Sequence, residues 1–126
     1  MPFTYRIDEQ KRLVELNGYN CITRGEIINI LQAVNIDPAR EKGFGIIVNF
    51  SQANLGALKA KDFEITIAHQ KMYQDEYKLS KVSIVARNDR EYGIARMWEM
   101  MGFGDIMNVK IFRSLPEAMI WLGVAS

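Results

Sequence analysis

The sequence predicts an α/β fold: a mixed, mainly parallel five-stranded sheet flanked by about four helices, in the order β-β-α-β-α-β-α-β-α. Three observations predict it. Two short strand-like segments near the amino end are joined by a tight polar turn, the sign of an antiparallel hairpin. The apolar segments Ile46-Ile47-Val48 and Val82-Ser83-Ile84-Val85-Ala86 have the look of buried parallel strands. Segments with helical apolar spacing alternate with these strands, opening on capping residues and closing at glycine or before proline.

The elements follow in order. Phe3, Tyr5 and Ile7 alternate against Thr4 and Arg6, which makes a first strand. Asp8-Glu9-Gln10-Lys11 is the turn, and Leu13 to Leu16 is a short second strand closed by Asn17-Gly18. Thr23 and Glu26 form a capping box for a helix carrying Ile27, Ile28, Ile30, Leu31 and Val34. That helix ends near Asn35, because the residue before Pro38 disfavours the α region. The strand Ile46 to Ser51 leads into a loop from Gln52 to Gly56. From about Lys61 to Tyr73 the signal is mixed: Phe63, Ile65 and Ile67 alternate like a strand, but the length favours a helix with Phe63, Ile67 and Met72 on one face. After the strand Val82 to Ala86, Arg87-Asn88-Asp89-Arg90 turns, with Asp89 as N-cap of a helix from Tyr92 to Met101 that Gly102 stops. Val109 to Phe112 is the last strand. Ser114, with Glu117 at N3, opens a final helix to Leu122, closed by Gly123.

Composition limits the function. The 126 residues suit one domain, 1–126, and 48% hydrophobic residues suffice for a core. Sixteen basic against fifteen acidic residues leave +1, without the basic stripe of a nucleic-acid binder. The apolar runs fall far short of the roughly 20 residues of a membrane span. A single cysteine, Cys21, allows no intrachain disulfide, and the first residues lack a signal-peptide pattern, so a cytoplasmic protein is expected. His69 is the only histidine and no cysteine cluster accompanies it, so no metal and no cofactor are expected. His69 is read as a surface residue and Cys21 as a small buried thiol.

The segments Arg12-Leu13-Val14-Glu15-Leu16-Asn17-Gly18, Ile46-Ile47-Val48-Asn49-Phe50-Ser51, Lys81-Val82-Ser83-Ile84-Val85 and Val109-Lys110-Ile111-Phe112-Arg113-Ser114-Leu115, the last followed by Glu117-Ala118 and Trp121-Leu122, together resemble the STAS-like family. These are the SpoIIAA-like domains related to anti-sigma-factor antagonists and to the cytoplasmic module of sulfate transporters, and the resemblance covers nearly the whole chain. It implies a regulatory module switched by phosphorylation of a serine at the start of the helix after the third strand. This chain departs there: the position falls on Leu58 or Lys59, within Ala57-Leu58-Lys59-Ala60, and no hydroxyl is present.

In mainly parallel sheets ligands sit beyond the carboxyl ends of the strands, which selects Asn49, Ser51, Asn54, Arg87, Asn88 and Arg90 as ligand- or partner-binding candidates. Ser51 has no nucleophile elbow around it and reads as a turn residue. Arg90-x-x-Gly93-x-Ala95 matches the phosphate-gripping loop of GNAT acyltransferases, in which backbone N–H groups at a helix start hold the pyrophosphate of acyl-CoA. The strands that should follow in that fold are missing, and Arg87 and Arg90 read rather as a solvated helix start. Tyr92, Met97, Trp98, Met100, Met101 and Phe103 are more soft apolar surface than one helix face hides, and they are interface candidates for a homodimer. No catalytic set is complete. The expected function is a noncatalytic STAS-like module binding a regulatory protein or a small apolar or anionic ligand. The rival is a small acyl-CoA-dependent N-acyltransferase. Topology separates them: a splayed pair of parallel strands suits the transferase, and a continuous mixed sheet with an edge hairpin suits the STAS-like module.

Overall fold

The computed structural model describes residues 3–124. β1 (Phe3–Asp8) pairs antiparallel with β2 (Leu13–Cys21). β3 (Gly45–Asn54), β4 (Lys81–Val85) and β5 (Asn108–Phe112) then follow in parallel, so strand order in the sheet equals chain order. Each parallel crossover carries a helix: α1 (Arg24–Ile36), α2 (Ala60–Lys71) and α3 (Asp89–Trp98), and α4 (Leu115–Leu122) follows β5. Crossovers of one hand that advance steadily in one direction put their helices on one face. The core divides accordingly. Val14, Leu16, Ile46, Val48, Val82, Ile84 and Ile111 pack with residues of α1, α2 and α3, while the alternate positions Leu13, Ile47 and Val85 meet Ala118, Met119 and Leu122 of α4.

The expected mixed sheet, its order and its edge hairpin are all present. The capping box is formed: the Thr23 N–H donates to Glu26 Oε1 (2.9 Å) and the Glu26 N–H to Thr23 Oγ1 (3.3 Å). Ser114 Oγ accepts from the Glu117 N–H, and Gly123 ends α4 at φ 75°. The ambiguous segment is helix, with Phe63, Thr66 and Gln70 buried at helical spacing. A 3₁₀ turn, Gln74–Tyr77, follows it.

Five expectations are corrected. Asn17-Gly18 does not close β2, which continues to Cys21 because β3 supplies a parallel ladder along that length. Gly18 is required there for close packing, since a Cβ would lie 3.0 Å from the Phe50 ring. The Gln52–Gly56 loop begins later: β3 runs to Asn54 through a bulge, with Asn17 opposite Asn49 but Tyr19 opposite Gln52. Asp89 is the first helical residue of α3, and Asn88 is the N-cap, making no side-chain cap bond. Gly102 does not stop the helix. α3 runs into a π-helical turn, Glu99–Phe103, kinked at Gly102 (φ 137°), and then a helical turn, Gly104–Ile106. Cys21, expected buried, is exposed at the end of β2, and His69 is half-buried against the Tyr73 ring.

Candidate functional site

Strand order never reverses in this sheet, so no switch-point crevice opens at the carboxyl ends of the strands. A closed set of ion pairs occupies that region. Arg90 Nε donates to Glu91 Oε2 (2.9 Å) and Nη2 to Asn54 Oδ1 (2.8 Å), and Glu91 Oε2 also accepts the Leu55 N–H (3.1 Å). Gly56 lies directly under the guanidinium, where a Cβ would come within 3.1 Å of Arg90 Nη1. Glu91 is buried. Burial pushes its carboxyl up, but the Leu55 N–H and the Arg90 guanidinium outweigh that and hold it below the ordinary carboxylate value. Arg113 Nη1 donates to Asp89 Oδ1 (2.6 Å) and its guanidinium lies 4.2 Å from the Tyr92 ring centroid. Arg87 and Asn88 are exposed.

The structure thus brings Asn54 and Arg90 together and sets Asn49 and Ser51 apart from them. The Ser51 N–H donates to Asn49 Oδ1 (3.0 Å), and both residues line a shallow cleft of about 70 Å³ beside Asn17, Tyr19 and Gln52. β3 and β4 pair without interruption from Ile46–Val82 to Asn49–Val85, so the splayed strands of the transferase reading are not there, and its Arg90 is already engaged. Leu58, at the position implied for a phosphoserine, is buried in the core. Lys59, the other such position, is the N-cap of α2 with its N–H on Asp62 Oδ2 (2.8 Å).

A second region lies between the sheet and α1, α2 and α3. A cavity of about 40 Å³ opens there, walled mainly by apolar groups such as Leu16, Val48, Ile84 and Phe103. That exceeds the roughly 10–15 Å³ one water needs, but a water also needs two to four polar partners. Trp98 lines the cavity, stacked between Phe63 (5.8 Å) and Phe103 (4.8 Å), and its Nε1 is buried without a hydrogen-bond partner. No other buried side-chain polar atom among the described residues lacks one.

Gln70 and Tyr77 also line this cavity and belong to a satisfied network. The Tyr77 hydroxyl donates to Asn35 Oδ1, and Asn35 Nδ2 donates to Gln70 Oε1 (2.7 Å). Arg40 donates to the carbonyls of Val34 (3.1 Å) and Asn35 (2.9 Å) with its guanidinium 4.6 Å from the Tyr77 ring centroid. Burial pushes the Tyr77 hydroxyl up to about 12.

The interface candidates divide along α3. Trp98 and Phe103 are in the core, and Tyr92 and Met101 are half-buried against it. Met97 and Met100 are exposed, Met100 at 76%. Sequence reasoning missed Glu91, Arg113 and the Asn35–Gln70–Tyr77 network. Only Gln70 left a signal, as a polar residue on the buried stripe of Phe63 and Thr66. Among the described residues no cluster of His, Cys, Asp or Glu is placed to hold a metal, and no helix is long and apolar enough to cross a membrane.

No family model and no curated protein matches the chain. Among solved structures it is similar to an uncharacterized protein of the DUF3478 family with a SpoIIAA-like fold, from Shewanella loihica PV-4. The TM-score is 0.60 at 10% identity, over 95% of this chain and 91% of that one. The likeness is one of fold: this chain has the SpoIIAA-like architecture.

Proposed function

We propose that the chain is a noncatalytic STAS-like binding module whose ligand is a small, largely apolar molecule bearing one hydrogen-bond acceptor. The ligand enters the cavity between the sheet and α1–α3 and accepts from the Trp98 indole. The observation that carries this reading is the orphaned Trp98 Nε1 in the wall of an apolar cavity whose other polar neighbours are satisfied. Leaving a buried donor unpaired costs about 1–3 kcal/mol, and a ligand carbonyl or ether removes that cost. Water does not fit as well, because one donor is short of the partners it needs. α3 carries Trp98 inward and Met97 outward, and the π-helical turn that continues it carries Met100 outward, so one continuous segment joins the ligand to a self-association surface. A regulatory role then consists of ligand occupancy altering how that surface pairs.

Nuclear magnetic resonance tests the reading directly. Acetonitrile, a small apolar molecule with one acceptor and a size close to that of the cavity, is titrated into the protein while the indole N–H signals are followed. The expected outcome is a saturable shift of the Trp98 N–H signal with acetonitrile and a smaller one with propyne, which has the same shape but no nitrogen acceptor. An unmoved Trp98 signal, together with native mass spectra of freshly purified protein showing no retained small molecule, sinks the proposal.

A further inference from the structure

We propose that the groove at the amino-terminal end of the sheet, remote from the cavity and independent of its ligand, is an anion site for a small phosphate monoester with an apolar body. The groove, of about 320 Å³, forms where the β1–β2 turn, the loop before β3, the start of β4 and the end of α4 meet. Lys11, Arg12 and Lys81 line it, and no carboxylate does. In a chain of sixteen basic and fifteen acidic residues, that is a local excess of one sign.

The three cations differ in what holds them. Lys81 Nζ donates to the Trp121 carbonyl (3.2 Å) and lies 5.4 Å from the Trp121 ring centroid, so it answers the negative end of α4 and stays fixed. Lys11 and Arg12 enter no ion pair among the described residues. Asp8, in the same turn, is engaged with the Lys11 backbone N–H (3.0 Å).

Arg12 also sits at φ 54°, a left-handed conformation that glycine or asparagine adopts more readily. Such strain persists where the surroundings fix it, and it concentrates at binding sites. Here the guanidinium rests 5.1 Å from the Phe44 ring centroid, beside Gly43 (φ 89°), where a Cβ would lie 3.5 Å from Nη2. Gly43, Gly45 and Gly123 all line the groove, leaving its backbone without covering side chains.

Two unpaired cations beside a third suit a dianion better than a single carboxylate. A phosphate monoester carries about −1.5 to −2 charges and three strong acceptor oxygens, which match the arginine fork. Leu79, Leu122 and Val124 form the apolar remainder of the lining, and Leu79 is 80% exposed. Inorganic phosphate leaves that surface wet, whereas an apolar ester group covers it.

The test is an amide-resolved titration of the full chain at constant ionic strength with phenyl phosphate, inorganic phosphate and benzoate. Phenyl phosphate is expected to give saturable shifts at Arg12, Gly43, Gly45 and Gly123 and to bind more tightly than the other two probes. Arg12→Asn keeps a residue that tolerates the left-handed turn, so it folds, and it is expected to weaken phenyl phosphate roughly tenfold, the share of one charge-assisted hydrogen bond. Lys11→Gln is expected to weaken it less. The proposal is overturned by the absence of saturable shifts, by shifts confined to residues 87–90, by unchanged affinity in both variants, or by benzoate binding as tightly as phenyl phosphate.

Discussion

Two neighbouring regions of the same buried layer treat their polar groups in opposite ways. At the ends of α1 and α2, Asn35, Gln70, Tyr77 and Arg40 form a network in which each buried polar atom has a partner. Around Trp98, the stacked aromatics and the cavity leave one donor with none. Both lie between the sheet and the same helices, so the difference does not come from depth. A satisfied network specifies one packing of the core, since any alternative strands several groups at once. An orphaned donor adds no specificity and costs stability, and in the reading proposed above the ligand satisfies it.

The largest expected effect breaks the satisfied side. Asn35→Leu removes the acceptor of the Tyr77 hydroxyl and the donor to Gln70. Stranding buried groups costs about 1–3 kcal/mol each, so the loss is expected to be about 3 kcal/mol by urea denaturation. A loss below about 1 kcal/mol would show that the network rearranges and that the contrast between the two regions is false.

The same network sets the alkaline limit. Tyr77 is pushed up to about 12 in the fold from 10.0, so between these values the unfolded chain has released a proton that the folded chain retains. Stability is therefore fully present below 10.0 and is lost as pH rises towards about 12. The loss is on the order of 2 kcal/mol. Tyr77→Phe should flatten the pH dependence in that window. At the acid end the sign reverses. Glu91 is held below 4.5, so its contribution is present above 4.5 and is lost as pH falls through the lower folded value. Glu91→Gln should reduce that acid dependence in pH-jump unfolding.

Trp98→Phe sharpens the unsatisfied side. The smaller ring enlarges the cavity, which costs roughly 24 cal/mol per Å³, but the substitution also deletes the orphaned N–H, worth about 1–3 kcal/mol when unpaired. The two nearly cancel, and stability is expected to stay within about 1 kcal/mol of wild type while the preference for acetonitrile over propyne is lost. A loss of stability near that of Asn35→Leu would mean that the indole N–H has a partner after all.

These contrasts also show what the sequence makes legible. Capping residues act within four positions of themselves, so Thr23–Glu26 and Ser114–Glu117 marked two helix starts that the structure keeps. The apolar run Ile46-Ile47-Val48 and the hairpin pattern identified a mixed sheet with its edge correctly. Asn17-Gly18 misled because its turn chemistry is local, while the ladder from β3 that overrides it comes from a strand beginning at Gly45. The binding candidates rested on the carboxyl ends of the strands, where a crevice opens only if strand order reverses, and strand order is not written in any local segment. The Asn35–Tyr77 contact spans 42 positions and the Leu55–Glu91 contact 36, too far apart for spacing to join them. The departure from the phosphoserine pattern was legible, because the identities of Leu58 and Lys59 alone carry it.

The smallest expected effect on stability turns the comparison from the inside of α3 to its outside. Met97, 40% exposed, lies on the helix whose inner side holds Trp98, and Met100, 76% exposed, lies on the π-helical turn that continues it. A surface substitution away from caps and strained positions usually shifts stability by no more than about 0.5 kcal/mol, and Met100→Glu is expected to stay within that margin. Its effect on self-association should be far larger. In a two-fold dimer closed across this surface the new carboxylate is desolvated without a partner, at several kcal/mol by order of magnitude. Analytical ultracentrifugation at tens of micromolar, a range suited to interfaces of ordinary size, is expected to show a dimer for wild type and a monomer for Met100→Glu. Trp98→Phe, acting from the inner side, should leave the dimer intact. A monomeric wild type at that concentration removes the self-association surface and leaves Met97 and Met100 as ordinary exposed side chains. A variant that stays monomeric but unfolds more readily removes the separation between the two sides of α3 on which the comparison depends.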